Sequence, residues 1–185
     1  MAGERKQQIL ESLAKMLEAP KREKITTAAL AAKLEVSEAA LYRHFANKAQ
    51  MFEGLISFIE ETIFGLINKI SSEETEGLRQ VHRTISMLLL FAEKNPGMTR
   101  VLIGDALVNE DEKLQLRINQ LYDRIEVTLK QSLRIAEAQT GNQGDAESQA
   151  NLIVCYIIGR WQQYAKSGFK RKPTEFAVQQ LSKLL

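Results

Sequence analysis

Eight apolar residues between positions 48 and 70, Phe52, Leu55, Ile56, Ile59, Ile63, Leu66, Ile67 and Ile70, recur at three- and four-residue spacing. At roughly 100° per residue they fall within a stripe about 120° wide, which is the pattern of a long amphipathic helix. Such a stripe must be buried against neighbours, and most of the chain offers partners of the same kind. Ile9, Leu10, Leu13, Met16 and Leu17 predict a helix over residues 5–18, ending at Ala19 and Pro20 ahead of the charged stretch KREK. A fifth helix is expected over 75–94, halted by Asn95, Pro96 and Gly97, followed by a short helix over 98–108. Leu114, Ile118, Leu121, Ile125, Leu129 and Leu133 mark another long helix, and QTGNQGD at 139–145 reads as a loop. Two more helices, over 146–167 and 174–184, complete the chain. Ten glycines and three prolines in 185 residues are too few for the turns of a β-rich protein. The expected fold is all-α with about nine helices.

Several function classes lose their support here. The single cysteine, Cys155, cannot close an intrachain disulfide, and MAGERKQQ is not followed by the apolar core of a signal peptide. The longest apolar run, residues 152–158, is only about two helical turns, too short for a membrane span. A soluble, cytoplasmic protein with no membrane partner is expected. Two histidines and one cysteine show no zinc-ligand spacing, and no nucleophile elbow or phosphate loop is present. Residues 109–112 lack the spaced ligands and turn glycine of a calcium loop, and read instead as the acidic start of a helix. Neither an enzyme, a metal site nor a cofactor is expected.

The net charge of +2 hides an asymmetry. Residues 1–50 carry nine Lys or Arg against six Glu, whereas residues 51–185 carry sixteen against seventeen acidic residues. A polyanion would be bound at the front. There Thr26 stands as an N-cap before Leu30, Ala31 and Leu34, and after a turn at Glu35 and Val36 Ser37 caps a third helix over 38–44, with Leu41 and Phe45 inward. This is the sequence form of a helix-turn-helix. Small Ala39 and Ala40 let the second helix of the pair sink into a major groove. Thr26, Thr27, Ser37, Tyr42, His44 and Lys48 border it as groups that can bind phosphate oxygens. Arg43 can take a phosphate or a guanine edge. Glu38 can accept from cytosine, but its stabilisation of a helix start is the weightier role.

The segment ITTAALAAKLEVSEAALYRHFANKAQMF resembles the DNA-binding region of the TetR family of regulators, which implies a three-helix DNA-binding domain over 1–47 and a helical dimerisation and partner-binding domain over 48–185. The resemblance departs at the turn, where the family usually has glycine and this chain has Glu35. A non-glycine residue in the left-handed region costs about 1–2 kcal/mol, so a looser or differently shaped turn is expected. Farther along, FEGLISFIEETI, NPGMTRVLIGDAL, LRINQLYDRIE and FKRKPTEF resemble a divergent TetR-like group, the nucleoid occlusion factors. That resemblance implies a homodimer on specific, near-palindromic duplex DNA, cytoplasmic and nucleoid-associated, which antagonises assembly of the division protein FtsZ through that protein's C-terminal tail. The alternatives are a TetR-type transcriptional repressor that responds to a small molecule and, more remotely, an α-helical enzyme. With stripes filled by Leu and Ile, no small-molecule ligand is expected.

The body offers two candidate protein surfaces. Residues 152–158 are apolar on every side of their helix and need cover from outside the domain. A second copy is the simplest cover, through Leu152, Cys155, Tyr156 and Gly159 with Phe176 and Leu181 of the last helix, the alternative being the central helix of a monomer. On the fifth helix Leu78, Val81, Ile85, Leu88, Leu89 and Ala92 face one way, and Met87, Leu90 and Phe91 the other. With Phe58, Gly65, Lys94 and Asn95 these second-face residues could wall an apolar groove with basic ends, fit for a short peptide. Packing against later helices is the alternative, and the better one for Phe91.

Overall fold

Ala14 and Leu17 of the first helix meet a helix some eighty residues later, and that closure organises the front of the molecule. The computed structural model describes residues 2–19, 25–142 and 144–185; Pro20, the KREK stretch and Gln143 of the expected loop lie outside them. Among the described residues the chain is all-helical: α1 (Ala2–Leu17), α2 (Thr27–Lys33), α3 (Glu38–Tyr42), α4 (Lys48–Glu73), α5 (Gly77–Lys94), α6 (Pro96–Leu102), α7 (Glu112–Thr140), α8 (Ala146–Lys166) and α9 (Ala177–Leu184), with one 3-10 turn at Asp105–Leu107. No helix among the described residues is long and apolar enough to cross a membrane.

Packing divides the chain into two units, residues 1–59 with 96–118, and residues 60–95 with 119–185. The sequence-based boundary at 47/48 falls inside the first unit. In that unit Ile9 and Leu13 of α1, Leu30 and Leu41, Phe52, Leu55 and Ile56 of α4, and Val101 and Leu102 of α6 are all at most 1% exposed. Gly97 makes the α1 contact possible: a Cβ there would sit 1.9 Å from the Ala14 carbonyl oxygen, closer than atoms can approach. The expected helix over 98–108 is corrected at both ends. Pro96 opens α6, because the first helical position needs no amide donor. The helix stops at Leu102 because Gly104 turns left-handed (φ 75°) and leads into the 3-10 turn.

The second unit closes around Trp161 of α8, fully buried, whose indole Nε1 donates to the Leu88 carbonyl at 3.1 Å. Ile63 and Ile67 of α4, Val81, Ile85 and Leu88 of α5, Leu121 and Ile125 of α7, and Ile153 and Ile157 of α8 complete the core. Gly77 starts α5 against the α7 backbone, where a Cβ would lie 2.3 Å from the Ser132 carbonyl. Beside it the buried Ser132 hydroxyl donates to Gln80 at 2.8 Å, so the polar pair is satisfied. Phe91 is buried, the packing alternative, while Leu78, placed by its spacing on the core face, is exposed in the first turn of α5. The last helix begins at Ala177 rather than 174. Phe176 ahead of it is left-handed (φ 62°), and the Thr174 hydroxyl is drawn to Glu93 at 2.5 Å.

Candidate nucleic-acid interface

The two short helices of the first unit are built by their caps. Thr26 Oγ1 accepts from the Ala29 amide at 3.1 Å and Ser37 Oγ from the Ala40 amide at 3.3 Å, as the sequence led one to expect. The turn between them is not loosened by Glu35. Glu35 itself adopts the left-handed conformation (φ 55°), and its amide donates to Ala32 O while that of Val36 reaches back to Ala31 O. These two bonds form a Schellman closure, and they hold the glutamate where glycine would be easier. Leu30, Ala31, Leu41 and Phe45 are buried between the helices, with Leu34 and Val36 half-buried.

What remains outside is the expected reading surface. Thr26, Ser37, Glu38, Ala39, Tyr42 and Arg43 are exposed, and Thr27, Ala40, His44 and Lys48 are half-buried. The apolar bulk of α3 is turned inward and its small residues outward, which a helix entering a groove requires. The polar groups are bonded to one another. Thr27 Oγ1 donates to Glu38 Oε2 at 2.5 Å, and Tyr42 OH donates to Thr27 Oγ1 at 3.3 Å, giving a hydroxyl relay anchored on a carboxylate. Lys48, the first residue of α4, forms an ion pair with Glu110 and lies 5.6 Å from the centre of the Phe52 ring. Sequence reasoning missed Glu110, since a pair 62 positions apart leaves no local signal. It also missed Asn47, whose Oδ1 accepts from the Gln50 amide at 2.9 Å while Gln50 Oε1 accepts from the Ala46 amide. There a signal was present, the N-x-x-Q spacing of a reciprocal cap.

The surfaces of the second unit are apolar by contrast. Leu152, Cys155 and Gly159 of α8 are exposed, Tyr156 is half-buried with its hydroxyl donating to Gln180 Oε1 at 2.8 Å, and Ile153, Val154 and Ile157 face the core. Phe176 is 60% exposed. Leu181 is corrected: at 3% exposure it is buried in its own chain and is no surface residue. Starting α9 at Ala177 puts Ala177, Leu181 and Leu184 on one inner face, and the outward apolar residue is Val178, 80% exposed.

Of the expected peptide-site residues, Phe58 belongs to the first unit and is exposed. Gly65, Met87, Leu90, Lys94 and Asn95 belong to the second. Gly65 has open space above it, Leu90 and Lys94 are exposed, and Met87 is half-buried. Asn95 caps α5, its Nδ2 donating to Phe91 O at 2.7 Å. A cleft of about 450 Å³ takes in Met87 together with Leu66, Ile70, Lys69 and Arg83. Leu66, read from spacing as core, is exposed there. Glu73 pairs with both cations of the cleft, at 3.7 Å from Lys69 and 3.2 Å from Arg83. No cluster of His, Cys, Asp or Glu able to hold a metal occurs among the described residues.

Comparison with known proteins places both parts of the chain. Residues 22–55 match the model of bacterial regulatory proteins of the tetR family, and residues 75–185 match the SlmA-like model of the tetracyclin repressor-like C-terminal domain. The nucleoid occlusion factor SlmA of Alteromonas mediterranea is 52% identical over 173 residues, 92% of this chain and 89% of that protein. Among solved structures, a TetR family regulator from Agrobacterium tumefaciens superposes with a TM-score of 0.81 at 14% identity, over 99% of this chain and 98% of that one. The Bacillus subtilis regulator FadR, solved in complex with stearoyl-CoA, gives a TM-score of 0.76 at 16% identity over 96% of both chains. These two structures share the fold.

Proposed function

The chain belongs to the SlmA family of nucleoid occlusion factors, DNA-binding regulators of TetR type rather than enzymes, and from that premise we propose that it binds specific chromosomal sites as a homodimer and, while bound, antagonises FtsZ assembly by engaging that protein's C-terminal tail. The observation that carries this reading is the 52% identity to a nucleoid occlusion factor over 92% of the chain, DNA-binding region and body together.

The geometry supports each part. The exposed Ala39 and half-buried Ala40 are flanked by Thr26, Thr27, Tyr42, Arg43 and Lys48, a small-residue prow among phosphate-binding groups. Leu152, Cys155, Gly159, Phe176 and Val178 give α8 and α9 an exposed apolar face suited to a second copy. A two-fold pair would set its two prows one helical turn apart, about 34–36 Å, on a near-palindromic site in the nucleoid. Exposed Leu90 and Lys94, with Met87 beside them on α5, give apolar anchors and a cation for a short tail. Trp161 and the Ile and Leu side chains around it fill the middle of the second unit, which weighs against a repressor answering to a molecule held there.

The test is titration of the full-length protein with an FtsZ tail peptide, with and without duplex selected by the protein from a random pool, alongside FtsZ assembly followed by light scattering. Suppression of assembly that needs the selected duplex, and that Leu90→Asp abolishes without loss of DNA binding, is the expected result. Assembly unaffected by the protein–duplex complex overturns the reading.

A further inference from the structure

A lysine is ill-placed at the first position of a helix, since the partial positive charge of the free amides repels it. The first turn of α4 contains no acidic residue to offset Lys48. The counter-charge comes from elsewhere in the same unit. Glu110 meets the Lys48 ammonium with both side chains largely sheltered, 22% exposed for the lysine and 13% for the glutamate. The backbone aims that carboxylate. Asn109 is left-handed (φ 65°), the Glu110 amide donates to Leu107 O at 3.0 Å, and Asp111 Oδ1 accepts from the Lys113 amide at 2.9 Å, pinning the segment just past Glu110.

Lys48 is therefore not a free cation awaiting a polyanion. Sheltered as the pair is, breaking it leaves the part-buried Glu110 carboxylate unpaired whatever takes its place, a cost that only a well-placed phosphate on Lys48 offsets. Duplex held loosely through its backbone offers no fixed phosphate position, whereas a site docked in register by α3 does. We infer that Glu110 is a specificity-setting positioning residue: it withholds Lys48 from non-specific duplex and yields it to a phosphate only when the base-reading helix is seated. The inference rests on the DNA-binding reading and adds to it a residue outside the helix-turn-helix. It also links DNA occupancy to the segment 105–111, which loses the Glu110 pairing with Lys48 when the site is filled.

The experiment compares the salt dependence of binding to the selected site and to a random-sequence duplex, for wild type, Glu110→Gln and the double variant Lys48→Gln/Glu110→Gln. Each phosphate contact adds about 0.9 to the slope of log K against log salt. In Glu110→Gln the slope on random duplex is expected to steepen by about that amount, with several-fold tighter binding and a lower ratio of specific to non-specific affinity. The double variant is expected to lose the gain. An unchanged or shallower slope in a folded Glu110→Gln overturns the inference and leaves the pair a structural brace.

A second measurement needs no substitution. The Lys48 Nζ signal of 15N-labelled wild type is expected to keep its carboxylate-bound shift in saturating random duplex and to move on the selected site. Movement with both duplexes, or with neither, overturns the proposal even if Glu110→Gln does not fold. A wild-type protein that enriches no sequence and binds no duplex fails the DNA-binding reading itself, and this inference goes with it.

Discussion

The helix-turn-helix face and the α8–α9 face are opposite solutions to being a surface. On the first, short helices are held by hydroxyl caps, bulk is turned inward, and outward polar groups are tied within the unit: Tyr42 to Thr27, Thr27 to Glu38, and Lys48 to Glu110. On the second, a long helix over a filled core leaves Leu152 and Cys155 bare, with Phe176 and Val178 ahead of and within the last helix. A polar face can be satisfied within its own chain, at the cost of freeing the carboxylates it was tied to when another partner takes over. An apolar face has no such interim partner and is completed only by being covered.

That contrast can be broken most forcefully in the body. Trp161→Ala removes the side chain around which the second unit closes and leaves Leu88 O without its indole donor, so a loss of about 4 kcal/mol is expected in urea unfolding. A loss below about 1 kcal/mol would mean that the core is not built around this ring. Next comes Leu152→Lys, which leaves the core intact and charges the bare face. It is expected to cost about 2 kcal/mol of self-association, roughly thirty-fold in a dimer dissociation constant read by sedimentation, with the thermal midpoint of the monomer unchanged.

The front module is expected to respond in the other direction. Glu35→Gly relieves a left-handed glutamate while adding chain entropy to the unfolded state, for a net gain of about 0.5 kcal/mol. A destabilised variant would show that the Glu35 side chain does more than occupy the turn. The smallest effect expected is an acid response in the second unit. Burial pushes the Glu93 carboxyl up, but the Thr174 hydroxyl and the Lys172 ammonium outweigh it and hold the group below its ordinary value of 4.5. A carboxyl depressed in the folded state contributes stability that is present above that value and is lost as pH falls through the lower, folded one. The urea midpoint should therefore drop slightly more for wild type than for Glu93→Gln between pH 6 and pH 3.

Much of the fold was legible in order along the chain. The 3.6-residue stripes located the long helices, Thr26 and Ser37 announced the starts of α2 and α3, and Asn95 with Pro96 marked the end of α5. The misreadings share a cause. Leu66 and Leu78 are placed on core faces by their spacing yet are exposed, and Leu181, assigned to a second copy, is buried in its own chain. Spacing says which residues share a face but not which face finds a neighbour, and for α9 the left-handed Phe176 shifted the start by three residues. The helix expected over 98–108 failed at Gly104, because a lone glycine within an apolar pattern does not declare a positive φ.

By itself the sequence determined the all-α class, the capped helix pair, its outward small residues and the basic surplus around them, since each depends on side chains within a few positions of one another. Only the tertiary structure decided that α6 closes the core that α1 opens, that Glu35 stays left-handed under two backbone bonds, and that Lys48 is already engaged by Glu110. Those outcomes join residues far apart along the chain or set local strain against packing, and the balance exists only once both sides have been brought into contact.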